Sequence, residues 1–86
     1  MQLVVFTSQS CAPCAQLKQS LEQVSLPGGM TYREIDVEKS PQEAMGYAVR
    51  SLPTVIVTDG DGIPAQTRTG SMSVSALEDF IRGARV

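Results

Sequence analysis

The hydrophobic pattern of the first 24 residues changes period once, at Cys11. Leu3-Val4-Val5-Phe6 is an unbroken apolar run that closes on the polar Thr7-Ser8-Gln9-Ser10, the pattern of a buried strand followed by a loop. Beyond it Cys14, Leu17, Leu21 and Val24 recur at spacings of three and four, which is one face of a helix. Pro13 fits that helix because it falls in the first turn, where its missing N–H had no partner to lose. Pro27-Gly28-Gly29 ends the element, and residues 30–37, MTYREIDV, form a second strand although their alternation is not clean. Such a strand–helix–strand unit requires a right-handed parallel crossover.

Ser40-Pro41-Gln42-Glu43 has the form of a capping box, with Ser at N-cap, Pro at N1 and Glu at N3. The helix it starts directs Ala44, Met45, Ala48 and Val49 inward. Arg50-Ser51-Leu52-Pro53 connects to Thr54-Val55-Ile56-Val57-Thr58, the most strand-like run in the chain. Asp59-Gly60-Asp61-Gly62 is a hairpin turn, and residues 63–69 return as a strand. Gly70-Ser71-Met72 leads to a last helix N-capped by Ser73, with Val74, Leu77, Phe80 and Ile81 inward and Gly83 as its C-cap. The order β-α-β-α-β-β-α predicts an α/β fold with a mixed four-stranded sheet flanked by three helices. With 86 residues the chain is expected to form one domain, residues 1–86, that hides roughly 60–65% of its unfolded surface.

Seven Lys and Arg stand against nine Asp and Glu, a net charge of −2 with no basic face, which argues against nucleic acid as a partner. MQLVVFT lacks a basic leader and is too short to cross a membrane, so a monomer in the reducing cytoplasm is expected. The chain has no His and no Trp, which removes a Cys–His hydrolase or a His-ligated metal site within one chain. The Asp59-Gly60-Asp61-Gly62 stretch superficially resembles a calcium loop, but no acidic residue closes it at the required spacing. Lys18 is placed about two turns down the first helix on its solvent face. Arg50 reads as a solvated charge, and Met30, Met45 and Met72 as core or edge fillers.

Cys11 and Cys14 are the two cysteines of the chain, and three uses are chemically open to them. A structural disulfide closing so short a loop stabilises by roughly 2 kcal/mol and suits a reducing compartment poorly. A metal site needs three or four ligands, which two thiols supply only if two chains share it. Reversible dithiol chemistry fits the placement best. Cys14 shares a helical stripe with Leu17 and Leu21 and is shielded, whereas Cys11 lies at the helix mouth, where unpaired N–H groups and the dipole stabilise a thiolate. Cys11 is therefore the expected attacker and Cys14 the resolver. A fall in the attacker's pKa from about 8.5 to about 7 raises the thiolate fraction roughly 15-fold but costs about fivefold in nucleophilicity. Most of the rate must then come from positioning, which calls for a docking surface.

At this point the sequence resembles the thioredoxin superfamily over nearly its whole length. CAPC is similar to the family's Cys-x-Pro-Cys motif, and YAVRSLPTVIV resembles the segment that carries its cis-proline, here Pro53. The resemblance implies that Leu52 pairs its backbone with the target in the manner of an added strand. DGDGIPAQTRTG followed by a serine-capped helix looks like the closing hairpin and helix, with Gly70 leaving bare backbone beside the site. The chain departs from the family in carrying Ser10 where Trp is usual and Val5 where a buried Asp is usual. Without that Asp, the proton of the resolving thiol is left to water. The family's extra N-terminal strand and helix are missing, so the length is more like a glutaredoxin, although the Pro-Tyr and Gly-Ser-Asp features of glutaredoxins are absent.

What the resemblance implies is a protein-disulfide reductase with no bound cofactor. Cys11 and Cys14 carry the electrons, while Ala12, Pro13, Leu52, Pro53, Thr54 and Gly70 meet the substrate. Electrons come from thioredoxin reductase and NADPH, or from glutathione. Targets are disulfide-containing proteins, with ribonucleotide reductase as a family-level candidate. A glutathione-dependent glutaredoxin and a redox-inert or dimeric metal-carrying module are the alternatives.

Overall fold

In a computed structural model, which describes residues 1–26 and 28–84, the chain runs β1 (Gln2–Thr7), α1 (Ala12–Gln23), β2 (Thr31–Asp36), α2 (Pro41–Gly46), β3 (Thr54–Thr58), β4 (Pro64–Thr69) and α3 (Val74–Ala84). The sheet order is β2-β1-β3-β4. β1 pairs parallel with β2, and the other two pairings are antiparallel, giving the mixed sheet expected from the element order. Pro27, assigned above to the end of the first helix, lies outside the described residues.

β1 and β3 are central, and their side chains divide between two apolar layers, as alternation along a strand dictates. Leu3, Val5, Val55 and Val57 pack with Leu17 of α1 and with Leu77, Phe80 and Ile81 of α3. Val4, Phe6 and Ile56 point the other way and pack with Ile35, Ala44, Tyr47, Val49 and Leu52. The Phe6 and Tyr47 rings meet at 5.4 Å, tilted by 57°. This second layer is made by one short helix and its flanking loops.

That shortness corrects part of the sequence reading. α2 stops at Gly46, so the helical spacing does not reach residue 49. Val49 N–H donates to Ala44 C=O at 2.9 Å and Ala48 N–H to Met45 C=O at 3.1 Å, the two bonds of a Schellman ending. Ala48 takes the left-handed position at φ 57°, where glycine is usual. The turn brings Tyr47 and Val49 to the core and leaves Ala48 and Met45 exposed, Met45 at 79%. Met45 is therefore not a filler. The Ser40 side chain makes no capping bond; Glu43 pairs instead with Arg33 of β2, a charge-assisted partner that the capping box could not match. Gly83 lies inside α3 rather than capping it, beside the Gln66 side chain that donates to Phe80 C=O at 3.3 Å. Ser73 does cap α3, accepting from Ala76 N–H at 3.2 Å.

In urea unfolding, Phe6→Ala is expected to cost about 3–5 kcal/mol, while Met45→Ala stays within about 0.5 kcal/mol. Ala48→Gly is expected to gain up to about 1 kcal/mol by relieving the left-handed backbone. A loss of stability in Ala48→Gly would contradict the strain assigned to that turn.

Candidate functional site

Because β1 and β3 are antiparallel, with Phe6 opposite Thr54, the end of β1 lies beside the start of β3. Thr69, at the end of β4, faces Thr54 from the other side. The loop to Cys11, the Leu52-Pro53 segment and Gly70 thus gather at one end of the sheet, although Leu52 lies 41 positions beyond Cys11 and Gly70 a further 18 beyond Leu52.

Cys11 is the N-cap of α1 and is half-buried, whereas Cys14, inside the helix, is 1% exposed. The two are joined as a disulfide with Cα atoms 5.2 Å apart. Cys11 Sγ accepts the N–H of Cys14 at 3.3 Å, occupying the place of a capping hydroxyl. Ala12 and Pro13, the first two helical residues, are exposed beside it.

The opposite wall is held from within. The Leu52-Pro53 bond is cis and Pro53 is fully buried. Thr54, 2% exposed, donates from Oγ1 to Ser51 C=O at 2.6 Å. Gly70 donates its N–H to Pro53 C=O at 2.9 Å, with φ 93°. Leu52 packs on the layer around Phe6. Every one of the eight residues singled out from the sequence therefore lies at this end of the sheet.

A second constellation was not read from the sequence. Glu34 Oε1 accepts Thr7 Oγ1 at 3.3 Å and pairs with Lys18 Nζ at 2.9 Å, and Oε2 accepts Tyr32 Oη at 3.4 Å. Lys18, on the exposed side of α1 as expected, is thus also tied across to β2. Burial first, and then the Glu34 charge and hydrogen bond, push the Tyr32 phenol up to about 12, so it remains a donor near neutral pH. Glu34 and Lys18 line an open cleft of about 430 Å³ that reaches Ser8 and Gln9 of the β1–α1 loop. The uneven alternation of β2 gave no signal for it, because the partners of Glu34 depend on strand register and on α1. Among the described residues, no group of three or more His, Cys, Asp and Glu could hold a metal ion. Nor is any described helix long and apolar enough to cross a membrane.

Comparison with known proteins agrees with this arrangement. The thioredoxin family model matches residues 1–83. The chain is 29% identical to a thioredoxin of Rhodospirillum rubrum over 83 residues, covering 94% of this chain and 79% of the relative. It is 34% identical to a thioredoxin of Streptomyces clavuligerus over 76 residues, covering 87% and 70%. The solution structure of oxidised thioredoxin from Plasmodium falciparum shares the fold, with a TM-score of 0.84 at 24% identity over 99% of this chain and 81% of the other. These likenesses favour dithiol chemistry of the thioredoxin kind over the glutaredoxin and metal-carrying alternatives. The chain belongs to the thioredoxin family and is a thiol–disulfide oxidoreductase whose close cysteine pair is Cys11 and Cys14.

Proposed function

We propose that the protein reduces disulfides of other proteins, with Cys11 attacking and Cys14 resolving. The observation that carries this reading is the asymmetry of the pair: Cys11 caps the helix half-exposed and receives an N–H, while Cys14 is 1% exposed. The Cys11 thiolate opens the target disulfide and forms a mixed disulfide. Cys14 then attacks Cys11 Sγ and frees the reduced target. Leu52, Pro53, Thr54 and Gly70, with Ala12 and Pro13, form the groove that holds the target, and Leu52 offers its backbone to an extended segment.

The dithiol carries both electrons, so the reaction requires no bound cofactor. Thioredoxin reductase with NADPH is the proposed donor, glutathione the second candidate, and the cytoplasm the proposed site of action. The protein acts as a monomer on disulfide-containing partners, of which ribonucleotide reductase is a candidate class.

Cys11→Ser is expected to abolish reduction of a protein disulfide such as insulin, and Cys14→Ser to accumulate mixed disulfides visible on non-reducing gels; full activity in Cys11→Ser would falsify the assignment. Oxidised protein should consume NADPH with thioredoxin reductase and not with glutathione and glutathione reductase; the reverse pattern would overturn the choice of donor. Gly70→Ala places a side chain at φ 93°, a strain of about 1–3 kcal/mol, and puts a methyl group in the groove. Its KM for a protein disulfide should rise while its rate with a small aromatic disulfide is retained. Equal losses with both substrates would remove Gly70 from the groove.

A further inference from the structure

At the end of the sheet where Cys11 stands, the connections of all four strands lie side by side in sheet order. β4 leads out to Gly70, β3 is entered from Leu52-Pro53, β1 leads to Cys11, and β2, parallel to β1, leads to the turn Val37-Glu38-Lys39-Ser40. The groove of Gly70, Leu52 and Cys11 uses three of these four strand ends. The fourth is held directly against it: Asp36 is the register partner of Thr7, and Val37 N–H donates to Thr7 C=O at 2.9 Å. Neighbouring strands lie about 4.8 Å apart, so the β2 turn stands about 10 Å across the sheet from the start of β3. Three extended residues cover that span.

Between this turn and the β1–α1 loop opens the cleft of about 430 Å³. Ser8 and Gln9 line it, and Cys11 follows Gln9 by two residues, within about 7 Å of backbone reach. Most of the charges in the cleft already have partners. Lys18 is paired with Glu34, and Arg33 with Glu43. Asp36 accepts Glu38 N–H at Oδ1, 2.9 Å away, so the backbone meets part of its charge. Lys39 differs from all of these: it is exposed, lines the cleft and forms no ion pair among the described residues. Ser40 beside it makes no capping bond, which leaves its hydroxyl free of the helix. An ammonium and a hydroxyl thus stand together as donors where the groove runs into the cleft.

We propose that Lys39, with Ser40 beside it, forms a specificity subsite that takes an acidic side chain of the target protein. That acid lies about two residues from the cysteine that Cys11 attacks, on the side away from the segment paired with Leu52. This rests on Cys11 being the attacking thiol and on the target lying along Leu52. The sign of the preference separates the subsite from the field of the whole molecule. The chain carries a net charge of −2, which by itself draws cationic targets more strongly than anionic ones. A preference for an acid must therefore come from a local cation. Because Lys39 is exposed, the effect is modest and screened by salt.

The test uses peptides of otherwise neutral residues, each with one cysteine capped as a mixed disulfide with thionitrobenzoate. A Glu, Gln or Lys stands two residues before or two residues after that cysteine. Reduced full-length protein attacks the peptide sulfur, and thionitrobenzoate, the thiol of lower pKa, leaves; its release is followed by stopped flow. On one side of the cysteine, the Glu peptide is expected to react about two- to fivefold faster than its Gln counterpart at low ionic strength. The two rates should converge at about 1 M salt, where the Debye length is near 3 Å. Lys39→Ala should erase the difference, and Lys39→Glu should transfer the advantage to the Lys peptide, with the Gln peptide as the reference in each variant. Equal rates for Glu and Gln peptides in the unsubstituted protein, an equal advantage for Glu on both sides of the cysteine, or an advantage that survives in Lys39→Glu would overturn the subsite. Absence of attack on every peptide, the Gln peptides included, would instead overturn Cys11 as the attacking thiol.

Discussion

The burial of β1 on both faces is the constraint from which the rest of the architecture follows. Leu3, Val4, Val5 and Phe6 are all fully buried, which is possible for a strand with neighbours on both edges and a packed layer on both faces. Helices α1 and α3 cover one side, and the short α2 with its loops covers the other. The end of this strand is consequently a firmly anchored point from which the chain emerges. Cys11 stands four residues beyond Thr7, at the mouth of the helix that covers the same strand.

The same burial decides where charge can sit. A carboxylate at position 5 would lie among Leu3, Leu17, Val55 and Leu77, a setting where ionisation is expensive without a partner. The acid nearest to that position along the sheet is instead Glu34, on the edge strand β2, with Thr7, Lys18 and Tyr32 as hydrogen-bonding or ionic partners. The docking segment is tied to the core by a different means. Leu52 packs on the Phe6 layer and Pro53 is bonded to Gly70, so the loop that faces a target borrows its rigidity from the sheet beneath.

Features that depend on neighbours within a turn or two were readable along the chain. The run Thr54-Val55-Ile56-Val57-Thr58 is β3 to the residue, Cys14 and Leu17 are buried on one helical face, and Ser73 caps α3. The misreadings occurred where a local rule met a distant competitor. At Ser40 the capping box does not form: its side chain makes no capping bond, and Glu43 pairs with Arg33 of β2. Met45 and Ala48 were directed inward by a helical period that the chain abandons at Gly46. Gly83 has the form of a helix stop, yet α3 includes it and runs to Ala84.

By itself, the sequence determined the element order, the mixed sheet and the cysteine pair at a helix mouth. Each of these follows from short-range periodicity and from groups a helix end leaves unpaired. Tertiary structure alone decided the cis state of Pro53, its bond to Gly70, and the gathering of Glu34, Thr7, Lys18 and Tyr32 around one carboxylate. The pairing of β1 with β2 and the packing of α1 over them bring Thr7 and Lys18 to Glu34, a placement that no window of adjacent residues contains.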